Sequence, residues 1–157
     1  MAVLNYTTRI AAAKTAGEVQ DMLARHGATQ VMLDYDGGRP VGVTFAIATE
    51  LGPRTFRMPV DVDQMRQLLV QQDRAGKLRN AKMSQQERTS AEHAARVAWR
   101  VVKDWLEAQL AIIETRMVQI DQVMLPYLVV GQESLYARYR ESGLRELTAG
   151  GDDSEIG

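Results

Sequence analysis

The chain has 157 residues, 45% of them hydrophobic and 25% charged, with a formal net charge of −1 and no cysteine. That length supports one domain with its own core and is short for two. The missing cysteine excludes a disulfide framework, a thiol nucleophile and a thiolate metal site, and the near-zero net charge argues against a polyanion binder that works by overall charge.

Residues 1–14 lack a basic stretch followed by an apolar core, so no secretory signal is expected. No apolar run nears the ~20 residues that a membrane-spanning helix needs. A cytoplasmic protein of the host cell is the expectation.

Residues 4–10, LNYTTRI, carry strand-like side chains and predict a first strand. Thr15 and Glu18 then stand at capping-box spacing, which predicts a helix start there. Val19, Met22, Leu23 and His26 share one face of that helix, and Gly27 suits its end. A three-stranded meander follows. Val31, Leu33 and Tyr35 alternate, Asp36-Gly37-Gly38 supplies a turn, and Val41, Val43, Phe45 and Ile47 alternate again. Leu51-Gly52-Pro53 turns the chain into a strand with Phe56 and Met58. The other strand face is small: Met32, Asp34, Gly42, Thr44, Ala46, Ala48, Thr55 and Arg57. Such a face predicts a second covering layer, the long helix, or else a flat surface for a partner.

Asp61 or Asp63 is placed to cap a helix that buries Met65, Leu68 and Leu69. Periodicity fades over residues 73–88, a polar, basic, glycine-containing stretch that predicts a mobile connection. Residues 89–118 then form a long helical stretch with both tryptophans, Trp99 and Trp105, and an apolar face wide enough to be covered from two sides. Pro126 interrupts a short amphipathic turn, residues 127–130 form an apolar plug, and residues 133–147 suit a last helix. Residues 149–157 form an acidic tail expected to be disordered. Strands early and helices late predict an α+β fold, one domain over residues 1–148, with an antiparallel sheet of three to four strands packed against helices.

Catalytic signals are absent from the sequence. No P-loop, GxGxxG or GxSxG occurs, and His26 and His93 have no second histidine at ligand spacing. Asp34 and Asp36 sit before two glycines, but calcium loops need further oxygen ligands that are missing here. No cofactor, no metal and no enzymatic activity are expected.

Charge is unevenly spread. Arg66, Arg74, Lys77, Arg79, Lys82, Arg88, Arg96, Arg100 and Lys103 face only Asp73, Glu87, Glu92 and Asp104 over the same stretch. Lysine and arginine on a flexible stretch can follow a phosphate backbone, and exposed rings can stack bases. The nucleic-acid-binding candidates are therefore Arg74, Lys77, Arg79, Lys82 and Arg88 on the connection, Arg54 and Arg57 on the sheet, and Tyr35, with Tyr6 as a second ring. The connection would close over the strand face as a clamp. Trp99 and Trp105 are the candidates for a protein interface.

Three segments carry a resemblance: LDYDGGRPVGVTFAI with FRMPVDVDQMRQLL, RVAWRVVKDWLEAQLAIIE, and MLPYLVV. The chain resembles a family of small, largely uncharacterised proteins encoded by bacteriophages and prophages. The resemblance implies an intracellular accessory protein of a phage or mobile element, with tasks in replication, recombination or inhibition of a host or defence protein. It implies no site residues. The combined expectation is a non-enzymatic protein that binds single-stranded nucleic acid. The alternative is a protein-interaction module, and a homo-oligomer is expected because the C-terminal half carries more apolar side chains than a small sheet can cover.

Overall fold

The computed structural model describes residues 1–143. It is an α+β fold in which one long helix closes one face of a three-stranded antiparallel sheet. Helix α1 spans Ala12–Arg25 and leads into strands β1 (Ala28–Asp36), β2 (Arg39–Thr49) and β3 (Gly52–Pro59), ordered β1-β2-β3. The meander is the one that alternation predicts, and Gly27, at φ 102°, makes the turn from helix to strand.

Two details at the N-terminus differ from expectation. Residues 4–10 are not a strand. Asn5 takes a left-handed conformation at φ 65°, which ends any extended run, and the segment lies in a turn. Side-chain hydrogen bonds hold it down instead. The Val3 amide donates to Gln72 Oε1 (2.9 Å), and Asn5 Nδ2 donates to Asp104 Oδ2 (2.8 Å). Likewise Thr15 does not cap α1. Alanines upstream, with the best helix propensity, carry the helix back to Ala12, so Thr15 lies inside it, fully buried and with no partner for its hydroxyl. Glu18 pairs with Arg100 at 2.8 Å instead of reaching back to a cap.

After β3, Asp61 caps helix α2 (Val62–Arg74) by accepting from the Gln64 amide at 3.0 Å. A short helix α3 (Gln85–Arg88) precedes the long helix α4 (Ala91–Glu114), which Ser90 caps through the His93 amide. Helix α5 (Ile120–Met124) runs into a 3-10 turn, Leu125–Tyr127, around Pro126. The apolar plug that follows becomes a two-strand hairpin, β4 (Val129–Val130) with β5 (Glu133–Ser134), and Leu128 bridges to Phe56. Helix α6, Leu135–Ser142, is capped by Ser134 and closed by Gly143 at φ 57°. The acidic tail expected over residues 149–157 lies outside the described residues. Among the described residues, no helix is long and apolar enough to cross a membrane.

The main core joins Val19, Met22 and Leu23 of α1, Val43, Phe45 and Ile47 of β2, Phe56 and Met58 of β3, and Trp99, Leu106 and Leu110 of α4. Thus α1 and α4 cover the same face of the sheet, the one with large apolar side chains. The long helix does not cover the small-residue face. Apolar burial scales with area, and Gly42, Thr44 and Ala46 offer too little of it to hold a helix bearing Trp99. Trp99 is fully buried, and its indole N–H donates to the Pro40 carbonyl at 2.8 Å. A tryptophan so enclosed cannot meet a partner, which removes Trp99 from the interface candidates. Trp105 is half-buried and packs edge-on against Tyr127 at 6.0 Å between ring centres. The apolar excess of the C-terminal half is partly absorbed in this way: Ile120 and Met124 are buried, and Val123, Tyr127 and Leu128 pack against the same core.

A second, smaller core gathers Val62, Leu69, Leu78, Ala94, Ala95 and Val97 between α2 and α4. His93 is buried beside it. Its Nε2 lies 2.7 Å from the Tyr6 carbonyl, so this nitrogen carries the proton, while Nδ1 accepts from Arg96 Nη2 at 3.2 Å. Burial holds the imidazole below its ordinary pKa of 6.5. Arg96 adds to that, and the Tyr6 carbonyl opposes it.

Three outcomes follow from this packing. Replacing Thr15 by Val removes an unpartnered hydroxyl without a change of shape and should stabilise the chain by about 1 kcal/mol, whereas Trp99→Phe strands the Pro40 carbonyl and should cost about 1–3 kcal/mol, both read from urea unfolding. Because the folded pKa of His93 is depressed, its contribution to stability is present above pH 6.5 and is lost as pH falls through the folded value. Thermal melts of a His93→Gln variant should therefore fall less steeply between pH 7 and 5 than those of the parent chain; parallel curves would show that other groups set the acid limit.

Candidate nucleic-acid interface

The basic stretch is built outward from the second core. Helix α2 buries Val62, Leu69 and Gln72, which leaves Arg66, Val70 and Arg74 at i, i+4 and i+8 on its outer face. With Gln67 and Gln71 they line a shallow depression of about 400 Å³. At the end of α2, Gly76 takes φ +71° and the Lys77 amide returns to the Gln72 carbonyl at 2.9 Å. This reversal sends Leu78 into the second core, and Ala81 three residues on is buried as well. Lys77, Arg79, Asn80 and Lys82 are left outside. The Arg79 guanidinium folds back over Gly76 so closely that a Cβ there would sit 3.0 Å from it.

The connection is therefore packed and pinned rather than loose. Arg88 forms a close ion pair with Asp73, whose side chain is only 8% exposed, and its Nη1 donates to the Met83 carbonyl at 3.1 Å. These bonds tie the end of the connection to its start. They also commit Arg88 to structure and remove it from the candidate ligand-binding cations. Arg9 adds a further tie by donating to the Lys82 carbonyl.

What remains is a ridge of Arg66, Arg74, Lys77, Arg79 and Lys82. All five are exposed, and none is within ion-pair distance of a carboxylate among the described residues. The cations of α4 behave differently. Arg96 pairs with Glu87 and Glu92, Arg100 with Glu18, and Lys103 with Glu18 and Glu107. Arg66 is the ridge member that did not stand among the candidates. Its Nε donates to the Thr89 carbonyl at 3.1 Å, and the signal for it was the four-residue spacing of 66, 70 and 74.

The sheet candidates lie elsewhere. Thr44 and Arg57 alternate with the core residues Phe45 and Met58, so they point away from α4 to the open face. There Arg57 donates to Thr44 Oγ1 (3.4 Å) and to the Gln132 carbonyl (3.4 Å), and Thr44 reaches Asp34 Oδ2 at 3.5 Å. Gly42 belongs to this row for a steric reason: a Cβ would lie 3.0 Å from Asp34 Oδ2. Arg54 turns onto the carbonyl of its neighbour Pro53 at 2.9 Å. Tyr35 is exposed opposite Pro40 at the hairpin end of β1, while Tyr6 is half-buried against the second core. The ridge sits on the helical layer, and Arg57 sits on the far side of the sheet. The clamp expected between them does not form: α4 and the sheet stand in between.

A second depression, about 600 Å³, is lined by Glu18, Asp21, Met22, Ala24, Arg25, Lys103 and Glu107. Its charges are mixed, and Glu18 already serves Arg100 and Lys103. Among the described residues, no cluster of three or more His, Asp or Glu side chains is placed to hold a metal ion.

Breaking the pin should show in stability. Asp73→Ala strands Arg88 and should cost about 2 kcal/mol in urea unfolding, below the roughly 3–5 kcal/mol of a fully buried pair because Arg88 keeps contact with water.

Comparison with protein-family models, with curated proteins and with solved structures returns no match.

Proposed function

We propose that this chain is a non-enzymatic accessory protein that binds single-stranded nucleic acid, acting in the replication or recombination of a phage or mobile element. The observation that carries the reading is the run of five exposed cations, from Arg66 to Lys82, without carboxylate partners among the described residues, whereas the cations of α4 are paired. Such charges gain by displacing counterions from phosphates. The ridge bends where α2 gives way to the connection at Gly76. A flexible single strand can follow that bend, whereas a stiff duplex touches only part of it. Contacts are to the phosphate backbone, and base stacking on Tyr35 has no place in this reading.

The test is anisotropy of a labelled single strand, titrated at several salt concentrations. Single-strand binding weakens with salt at about 0.7 per phosphate contact on logarithmic axes. A Lys77→Gln/Lys82→Gln variant should therefore lose about 1.4 from the slope while unfolding like the parent. An unchanged slope removes these residues from the contact, and the absence of binding at low salt ends the reading.

One observation favours a second reading, a protein-interaction module such as an inhibitor of a host or defence protein. On the small-residue sheet face Ala48 and the neighbouring Met32 are exposed, whereas Gly42 and Thr44 are buried beneath Asp34 and Arg57.

A further inference from the structure

Strand β1 has one strand neighbour among the described residues, β2. The far side of β3, by contrast, meets Leu128 and the β4–β5 hairpin. An open edge offers a row of unpaired backbone N–H and C=O groups, and proteins usually blunt such an edge with lysine, proline or bulges. The sequence of β1, ATQVMLDYD, contains no lysine, arginine or proline. Its irregularities fall at its ends, between Ala28 and Gln30 and between Asp34 and Tyr35. They leave Gln30 to Asp34 as a regular run. Met32 is the midpoint of that run and also of the whole strand.

We propose that two copies of this chain pair through β1 about a two-fold axis at Met32, joining their sheets into one antiparallel sheet of six strands, three from each copy. This goes beyond the nucleic-acid reading and does not depend on it. The register that puts Met32 on the axis sets Val31 against Leu33 of the second copy on the helix-facing side, twice by symmetry. Both residues are only half-buried in one copy, although the β2 residues opposite them, Phe45 and Val43, are buried. The second copy supplies the missing cover. On the open side Met32, 57% exposed, meets Met32 of the second copy. Gln30 faces Asp34, an amide against a carboxylate, and Asp36 faces Ala28.

Strand length and charge together select this register over its neighbours: an axis at Val31 opposes no two charges but leaves Tyr35 and Asp36 without a partner in β1. An axis at Asp34 stacks that carboxylate on itself, and an axis at Tyr35 sets Asp34 against Asp36; like charges directly opposite destabilise a strand pair. An axis at Leu33 puts the apolar Met32 against Asp34. The Met32 register pairs all nine residues of β1 and opposes no two charges. It is isologous, so it closes at two copies and does not grow into a fibre.

The test uses sedimentation velocity of the full chain over a range of concentrations, together with single cysteines in a chain that has none of its own. The parent chain should dimerise. Met32→Lys, which sets two ammonium groups against each other on the axis, should weaken the dimer at least about tenfold with an unchanged circular-dichroism spectrum, because Met32 lies outside the core. Met32→Cys should give a covalent dimer under mild oxidation, since residues directly opposite in antiparallel strands lie within reach of a disulfide. Ala48→Cys, exposed on β2 away from this edge, should not. A chain that is monomeric at every concentration overturns the proposal. So does a dimer that Met32→Lys leaves intact, or one in which Met32→Cys crosslinks no faster than Ala48→Cys.

Discussion

The burial of Trp99 against the sheet is the contact on which the rest of the architecture depends. One side chain fills the space between α4 and β2, and its single polar atom is satisfied by Pro40, 59 residues earlier in the chain. Once that contact fixes α4, its other faces are assigned. The N-terminal half receives α2 and the second core, and Leu106 and Leu110 continue the main core. The C-terminal end of α4 is tied to α1 through His26, whose Nδ1 lies 2.7 Å from the Met22 carbonyl and whose Nε2 lies 2.8 Å from Glu114. A polar N–H buried in an apolar layer is costly unless paired, so Trp99 specifies one orientation of α4 where a phenylalanine would tolerate several.

The same layer governs what the surface can do. Because α1 and α4 share one side of the sheet, the ion pairs Arg100–Glu18 and Lys103–Glu18 lie between them and neutralise the middle of α4. The charge that remains unpaired sits beyond, on α2 and the connection. Positive charge that was spread over residues 66–103 in sequence is thus sorted in space into a structural part and a free part.

Locally encoded features were legible in the sequence. The alternation of β2 and β3, the Asp61 cap, the turn at Gly27 and the extent of α4 all follow from patterns within a few residues. What failed depended on distant partners or on competition between signals. Residues 4–10 have strand propensity, but Asp104 and His93 hold Asn5 and Tyr6 in another shape, and Gln72 holds Val3 just before them. The Thr15–Glu18 box lost to the alanines before it. For the site, composition identified the basic segment but not its partners. Nothing near Arg88 in sequence announces that Asp73 claims it, and periodicity alone cannot say that Arg57 and Lys77 end up on opposite sides of the molecule.

The order of the elements has a consequence for synthesis. The meander is complete at Pro59, and α1 is already made, but the other half of its cover is α4, which runs to Glu114. A ribosome adding about 5–20 residues per second leaves Phe45, Phe56 and Met58 uncovered by α4 for several seconds after they emerge. The nascent chain therefore passes through an interval with a partly naked sheet and an open β1 edge. Closure by Trp99 is a late event in the life of each molecule, and the chain is at its most vulnerable to misassociation before that residue clears the exit tunnel.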